Sequence, residues 1–223
     1  LRMDRLFATR LIALRGVVGG LAIVIFYVTI VKLGAARAVI LNLTYPVFGS
    51  IIAALWLKEK LSRASLVWML VGIAGLVVFL SKDGSMPSAS AYDLLALLGA
   101  ALAGWVVVII RRLRHEEHPA TIYASQALYS LLLASPAALH APRLPLIAWT
   151  GLAVAAVVVA VAQLQMTRAY QTMSVAKGSS IQMLLPIVTG IGGFFCFGET
   201  FHTPELLGSL LTLLATWRVV SEK

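Results

Sequence analysis

Two apolar runs carry polar groups that hydrocarbon-like surroundings should exclude. In the first, Asn42, Pro46, Gly49 and Ala53 fall at i, +4, +7 and +11, which is one face of a helix. In the second, Ser179, Gln182, Pro186, Thr189 and Gly193 mark the matching face. Pro46 and Pro186 lack an N–H, so each frees a carbonyl one turn back, near Asn42 and Gln182. An amide side chain beside a free carbonyl is a neutral patch of donors and acceptors. It can hold a small solute by hydrogen bonds, or it can fasten one helix to another. Both readings stand for Asn42, Gln182 and Ser179.

Further candidates lie on other runs. Gln163 falls in the stripe Ala156, Ala160, Gln163, Thr167, Tyr170, while Gln165 points about 200° away from Gln163 on a helix. Gln126 sits in the stripe Ile122, Gln126, Tyr129, Leu133, Pro136, where it lines a cavity or bonds a neighbour. Tyr45 and Trp105 offer aromatic walls for a flat or cationic solute, with core packing as the alternative. Parts for catalysis are missing. No apolar run holds a His, a pair of acids, or a Ser with a base in reach, which argues against an enzyme. Glu59 and Glu199 stand where apolar runs end, so a contact at a helix end suits them better than proton carriage. Asp93 and Glu205 fall at helix starts, where an acid suits the dipole. Without a buried acid, uniport or exchange stands beside proton coupling. The one cysteine, Cys196, permits no internal disulfide and no metal cluster, and the four histidines fall in expected loops. Neither a metal nor a cofactor is expected.

Composition says what positions these groups. Of the 223 residues 60% are hydrophobic and 12% charged, where soluble domains run near a quarter charged. Eight apolar segments, at roughly 11–31, 36–57, 63–81, 91–111, 120–139, 146–169, 176–197 and 204–220, are long enough or nearly so to cross a bilayer as helices. None alternates apolar with polar, so a β-barrel is excluded and an all-α integral membrane bundle is expected. With the N-terminal stub placed inside and the segments alternating, fourteen of the 18 Lys and Arg residues fall on the inner side and four on the outer. Arg2, Arg5, Arg10 and Arg15 are counted among the inner loops. Both ends of the chain are then cytoplasmic. The net charge of +9 reflects this orientation and not nucleic-acid binding, since the basic residues form no continuous stripe. The run "RRLRHEEHP" at 111–119 reads as a solvated loop.

The chain repeats itself. An offset of 140 without a gap aligns Pro46 with Pro186, Glu59 with Glu199, Asn42 with Gln182 and Arg37 with Lys177. The two prolines lie in the second and seventh segments, an odd number of crossings apart, so the copies run through the membrane in opposite senses. Inverted repeats with interrupted helices at matched positions mark secondary transporters.

The carrying stretches are "LGAARAVILNLTYPVFGSIIAALWLKEKLS" and "MSVAKGSSIQMLLPIVTGIGGFFCFGETF". In them a base follows small residues, then come an apolar run, Pro, Gly, a second apolar run and Glu. The pattern resembles the EamA-type repeat of the drug/metabolite transporter superfamily. The resemblance implies ten helices in two inverted halves of five, no cofactor, and movement of a small organic metabolite or amino acid, in the exporting sense, across the bacterial inner membrane. On this pattern residues 1–82 correspond to the last three helices of a first repeat, and 91–223 to a complete second repeat. The expected form is a ten-helix fold lacking its first two helices. Asn42, Tyr45, Trp105, Gln126, Gln163, Ser179 and Gln182 are the expected solute contacts, with Pro46 and Pro186 breaking their helices. The cavity is expected between segments one, two, four, six and seven. The second reading is a remnant that does not transport, or a subunit that needs a partner. The partners expected are the lipid bilayer and a small-molecule solute.

Overall fold

The computed structural model describes residues 9–80, 90–138, 144–197 and 202–222. Glu199, Lys82, His140 and Arg143 lie outside the described residues. All regular structure among the described residues is helical. In chain order the helices are α1 (Arg10–Leu33), α2 (Ala35–Asn42), α3 (Tyr45–Trp56), α4 (Arg63–Leu80), α5 (Ala91–Leu113), α6 (Pro119–Ala138), α7 (Leu146–Ala169), α8 (Val175–Gln182), α9 (Leu185–Phe197) and α10 (Thr203–Ser221). The eight expected segments are all present. The second and seventh are each split, α2 from α3 and α8 from α9. Among the described residues five stretches can cross a membrane by length and composition: Arg10–Leu33, Arg37–Trp56, Ala91–Leu113, Leu146–Ala169 and Val175–Phe195. The exposed surface is correspondingly apolar. On α7 Leu146, Ile147, Val154, Val157 and Val158 are all open, which suits lipid and not water.

The splits refine the expectation of a proline inside a helix. Pro46 stands in the first turn of α3, where a missing N–H removes no intrahelical bond. The chain crosses the break on tight i→i+3 turns, Thr44 N to Leu41 O at 3.2 Å and Val47 N to Thr44 O at 3.0 Å. The other break has the same form: Met183 N donates to Ser180 O and Leu184 N to Ile181 O, both at 3.1 Å. The bounds of α8 are those of α2 plus 140, and α10 starts 140 residues after α4.

The helices gather into two compact units. One holds the chain up to Val24 together with Ile109–Met173. The other holds Ile25–Val108 and Ser174–Lys223.

In the second unit α4 and α10 pack so closely that their backbones touch. A Cβ on Gly208 would stand 2.5 Å from Phe79 N and 2.6 Å from Gly75 O. One on Gly75 would stand 2.5 Å from Thr212 Oγ1 and 2.9 Å from Gly208 O. The Thr212 hydroxyl donates to Gly208 O at 2.9 Å and lies 3.3 Å from Gly72 O. Gly72 faces Ala215 and Gly75 faces Thr212. Adding 140 turns 72 into 212 and 75 into 215, so each contact is the image of the other. A seam whose two sides exchange in this way has local two-fold character. The same unit brings α3 against α5 at a second glycine crossing, where a Cβ on Gly104 would lie 2.6 Å from Gly49 N and 2.9 Å from Tyr45 O. Small residues let helices in lipid approach this far, where association cannot draw on a hydrophobic drive.

The chain end is tied back to the start of α4. Ser62 and Ser65 both donate their hydroxyls to the Glu222 carboxylate, and Lys177 Nζ donates to Glu222 O at 2.5 Å. The two hydroxyls, with the Lys177 charge as a lesser cause, hold the Glu222 acid below the usual carboxylate range. A group with a lowered folded pKa adds stability above its unfolded pKa, and loses that stability as pH falls through the folded value. Glu222→Gln is therefore expected to lower the thermal midpoint slightly at neutral pH. The gap to the parent should close as pH drops below about 4. A gap of the same size at pH 3 and pH 7 in detergent melts would show that the carboxylate charge contributes nothing.

Candidate functional site

The second unit holds five of the expected contacts and both breaks. Asn42, half-buried, is the last residue of α2, and Gln182, half-buried, is the last of α8. Their carbonyls face positions 46 and 186, where proline has no N–H to give. The C-terminus of one half-helix and the N-terminus of the next therefore meet at each break, with opposite partial charges. Tyr45, 6% exposed, opens α3, and its carbonyl lies against Gly104, the neighbour of half-buried Trp105. Ser179 is fully buried, and its hydroxyl donates to Val175 O at 2.5 Å, within its own helix. That bond uses the hydroxyl hydrogen and leaves its oxygen able to accept. Glu59 behaves as expected of a helix-end contact. Val175 N, at the start of α8, donates to its Oε2 at 2.9 Å, and a carboxylate there also suits the helix dipole. Arg37 bonds Asp93 at 2.7 Å, and Asp93 accepts Ser90 N at the start of α5.

The first unit holds Gln126 and Gln163. Gln163 is half-buried on α7, with Gln165 exposed and Thr167 and Tyr170 each 1% exposed, so the expected stripe is turned inward from Ala160 onward. The basic loop is corrected. Arg111 Nη1 donates to the carbonyls of Tyr170 and Gln171 at 2.7 and 2.6 Å, and Arg114 Nη2 to Gln171 Oε1 at 2.6 Å. Two of its arginines are engaged at the end of α7, where cations suit the unpaired carbonyls; the loop is not simply solvated.

Gln126, 9% exposed, bonds a partner that the charge count had placed in a loop. Its Oε1 accepts a hydrogen bond from Arg15 Nη2. Arg15 lies inside α1 and is 2% exposed. Counting it as a loop charge is thus corrected. Nε and Nη1 of Arg15 have no hydrogen-bond partner among the described residues. Three glycines make room for this arrangement. A Cβ on Gly19 would strike Arg15 Nη1, one on Gly16 the Tyr129 ring, and one on Gly20 Leu133 Cδ1 at 2.8 Å. Ser125 Oγ ties α6 to α1 by donating to Ile12 O at 2.7 Å. A charge taken out of water without a partner costs several kcal/mol, and within a membrane it marks a functional position by default. The signal was in the sequence: an arginine five residues into an apolar run, followed by Gly16, Gly19 and Gly20.

Comparison with known proteins places this geometry. The family model of the EamA-like transporters matches residues 4–81 and 90–221. The chain belongs to the EamA-like transporter family. Among curated EamA relatives it is similar to the pseudopaline exporter of Pseudomonas aeruginosa strain PAO1, with 28% identity over 208 residues, covering 92% of this chain and 72% of that one. It is also similar to the riboflavin transporter of Brucella anthropi, with 33% identity over 100 residues, 45% of this chain and 33% of that one. A solved crystal structure superposes with a TM-score of 0.76 over 94% of this chain and 75% of the other, at 17% identity. That likeness shows the fold alone. The EamA chain is a multi-pass membrane protein of a transporter family, and its relatives move small molecules.

Proposed function

We propose that the protein carries a small organic metabolite or amino acid across the bacterial inner membrane by alternating access, in the exporting sense, with both chain ends in the cytoplasm. The observation that carries this reading is the pair of helix breaks at 42–45 and 182–185, spaced by 140 residues. Broken helices at matched positions of inverted repeats are where secondary transporters hold their solutes. In this reading residues 1–82 are the last three helices of one repeat and 91–223 the five of the other. Asn42, Tyr45, Trp105, Ser179 and Gln182 are the solute contacts in the second unit, and Gln126 and Gln163 those in the first. The neutral amides and the half-helix ends supply hydrogen bonds and partial charge. Family membership supports transport, and the naming of one relative as an exporter supports the direction.

The test is counterflow. The protein at its natural length is reconstituted into phospholipid vesicles loaded with a panel of amino acids and related metabolites, and uptake of each labelled solute is followed. At least one solute is expected to accumulate above empty vesicles. Accumulation of none would reject the reading in favour of a chain that does not transport.

A further inference from the structure

In the first unit Arg15 Nε and Nη1 on α1 and Ser130 Oγ on α6 are buried and without hydrogen-bond partners among the described residues, as is Arg114 Nε beyond the end of α5. Gln126 and Ser130 are one turn apart on α6, hence on one face of it. Gln126 Oε1 is engaged by Arg15 Nη2, which turns the amide nitrogen into the group still able to donate. The cluster therefore offers guanidinium, amide and hydroxyl hydrogens, and its one strong acceptor is already used. A guanidinium carries five N–H donors, and Nε and Nη1 account for three of them. No acid balances this charge from nearby helices: α1, α6 and α7 contain neither Asp nor Glu. Snorkelling to the membrane surface, the usual escape of an arginine near a helix end, is ruled out by its 2% exposure. Gly19 makes room for the guanidinium itself, since a Cβ there would collide with Nη1.

Donors gathered round a buried cation fit a ligand that only accepts, and an ionised carboxylate is such a ligand. We propose that Arg15, Gln126 and Ser130 form an oxyanion site that takes the carboxylate of the transported solute, so that the substrates are organic acids or amino acids and not neutral or cationic compounds. This rests on the transport reading above and narrows its substrate class. The same chemistry would receive the phosphate of an anionic lipid, so the test separates the two sources.

The full-length protein is melted in detergent with phosphatidylcholine as the only lipid. Sodium acetate, succinate and glutamate serve as probes against acetamide, succinamide, glutamine and sodium chloride. At least one carboxylate is expected to raise the midpoint by about 3 °C or more while its amide does not. Arg15→Gln should weaken that response at least about tenfold, with Arg15→Lys intermediate because charge remains without the planar fork. Gln126→Glu places a carboxylate on the guanidinium from within. It should abolish the response while raising the midpoint of the ligand-free protein, and it keeps the proposal testable if Arg15→Gln fails to fold. The proposal is overturned if no carboxylate stabilises the protein, if Gln126→Glu responds like the parent, or if only added phosphatidylglycerol raises the midpoint, which would assign Arg15 to a lipid. Because the readout is binding, it stands apart from counterflow. Carboxylate binding without uptake would reject transport and leave the site. Uptake of neutral solutes alone, with no carboxylate binding, would reject the site and leave transport.

Discussion

Gly208→Ala is expected to lower the thermal midpoint of the detergent-solubilised protein by about 5–10 °C, although alanine is the better helix former. The reason is geometric. The new methyl would stand 2.5 Å from Phe79 N and 2.6 Å from Gly75 O, both backbone atoms that no rotamer change can move aside. Either α4 and α10 separate along their length, losing the Thr212 bond and the close contacts around it, or a helix shifts as a body. Overpacking of this kind costs about 1–3 kcal/mol in ordinary cores, and a backbone clash lies at the upper end. Gly208→Leu should prevent recovery of a monodisperse protein altogether. Gly151→Ala is the control. A methyl there meets nothing within 4 Å, and replacing a helical glycine by alanine gains about 0.5–1 kcal/mol, so the midpoint should hold or rise slightly. Equal melts for the two alanine variants would mean that α4 and α10 do not approach as described.

The second large effect concerns solute movement. Asn42→Leu combined with Gln182→Leu is expected to reduce counterflow at least about tenfold, with each single change milder, while the protein still elutes as one species. Leucine is close to both amides in volume and suits a helix in lipid, so the folded state should survive. What is lost is a hydrogen-bonding side chain at the end of each first half-helix, next to the break. Unchanged counterflow in the double variant would show that the amides only fasten helices.

Much of the fold is legible in the sequence. Lipid admits few architectures, so apolar length and loop charge were enough to give the helices, and the shared spacing of amide, proline and glutamate was enough to locate both breaks. The detail of the breaks was not legible. A proline in an apolar run reads as a kink, and whether the chain stops and restarts there depends on turns at 41–47 and 180–184 that the residue types do not dictate. The place of Arg15 is hidden because a positive charge near the start of an apolar run is compatible with a loop as well as with a helix interior. Only packing shows that α6 brings Gln126 to it. The fate of Arg111 and Arg114 was hidden for a similar reason, since they find their acceptors some 60 residues on, at the end of α7. The bond of Ser179 to the carbonyl four residues back is hidden in the same way, since it depends on the rotamer the helix packing selects.

The glycine seam between α4 and α10 has a mechanical consequence. Two helices joined backbone to backbone have no side-chain cushion to compress or slide, so they behave as one stiff strut. A strut concentrates bending wherever the rest of the frame is already cut. Within the second unit those cuts are at 42–45 and 182–185, where the regular helical ladder gives way to short i→i+3 turns. The seam thus makes hinges of the same two points at which the polar groups stand, and whatever the amides grip is gripped at the joints.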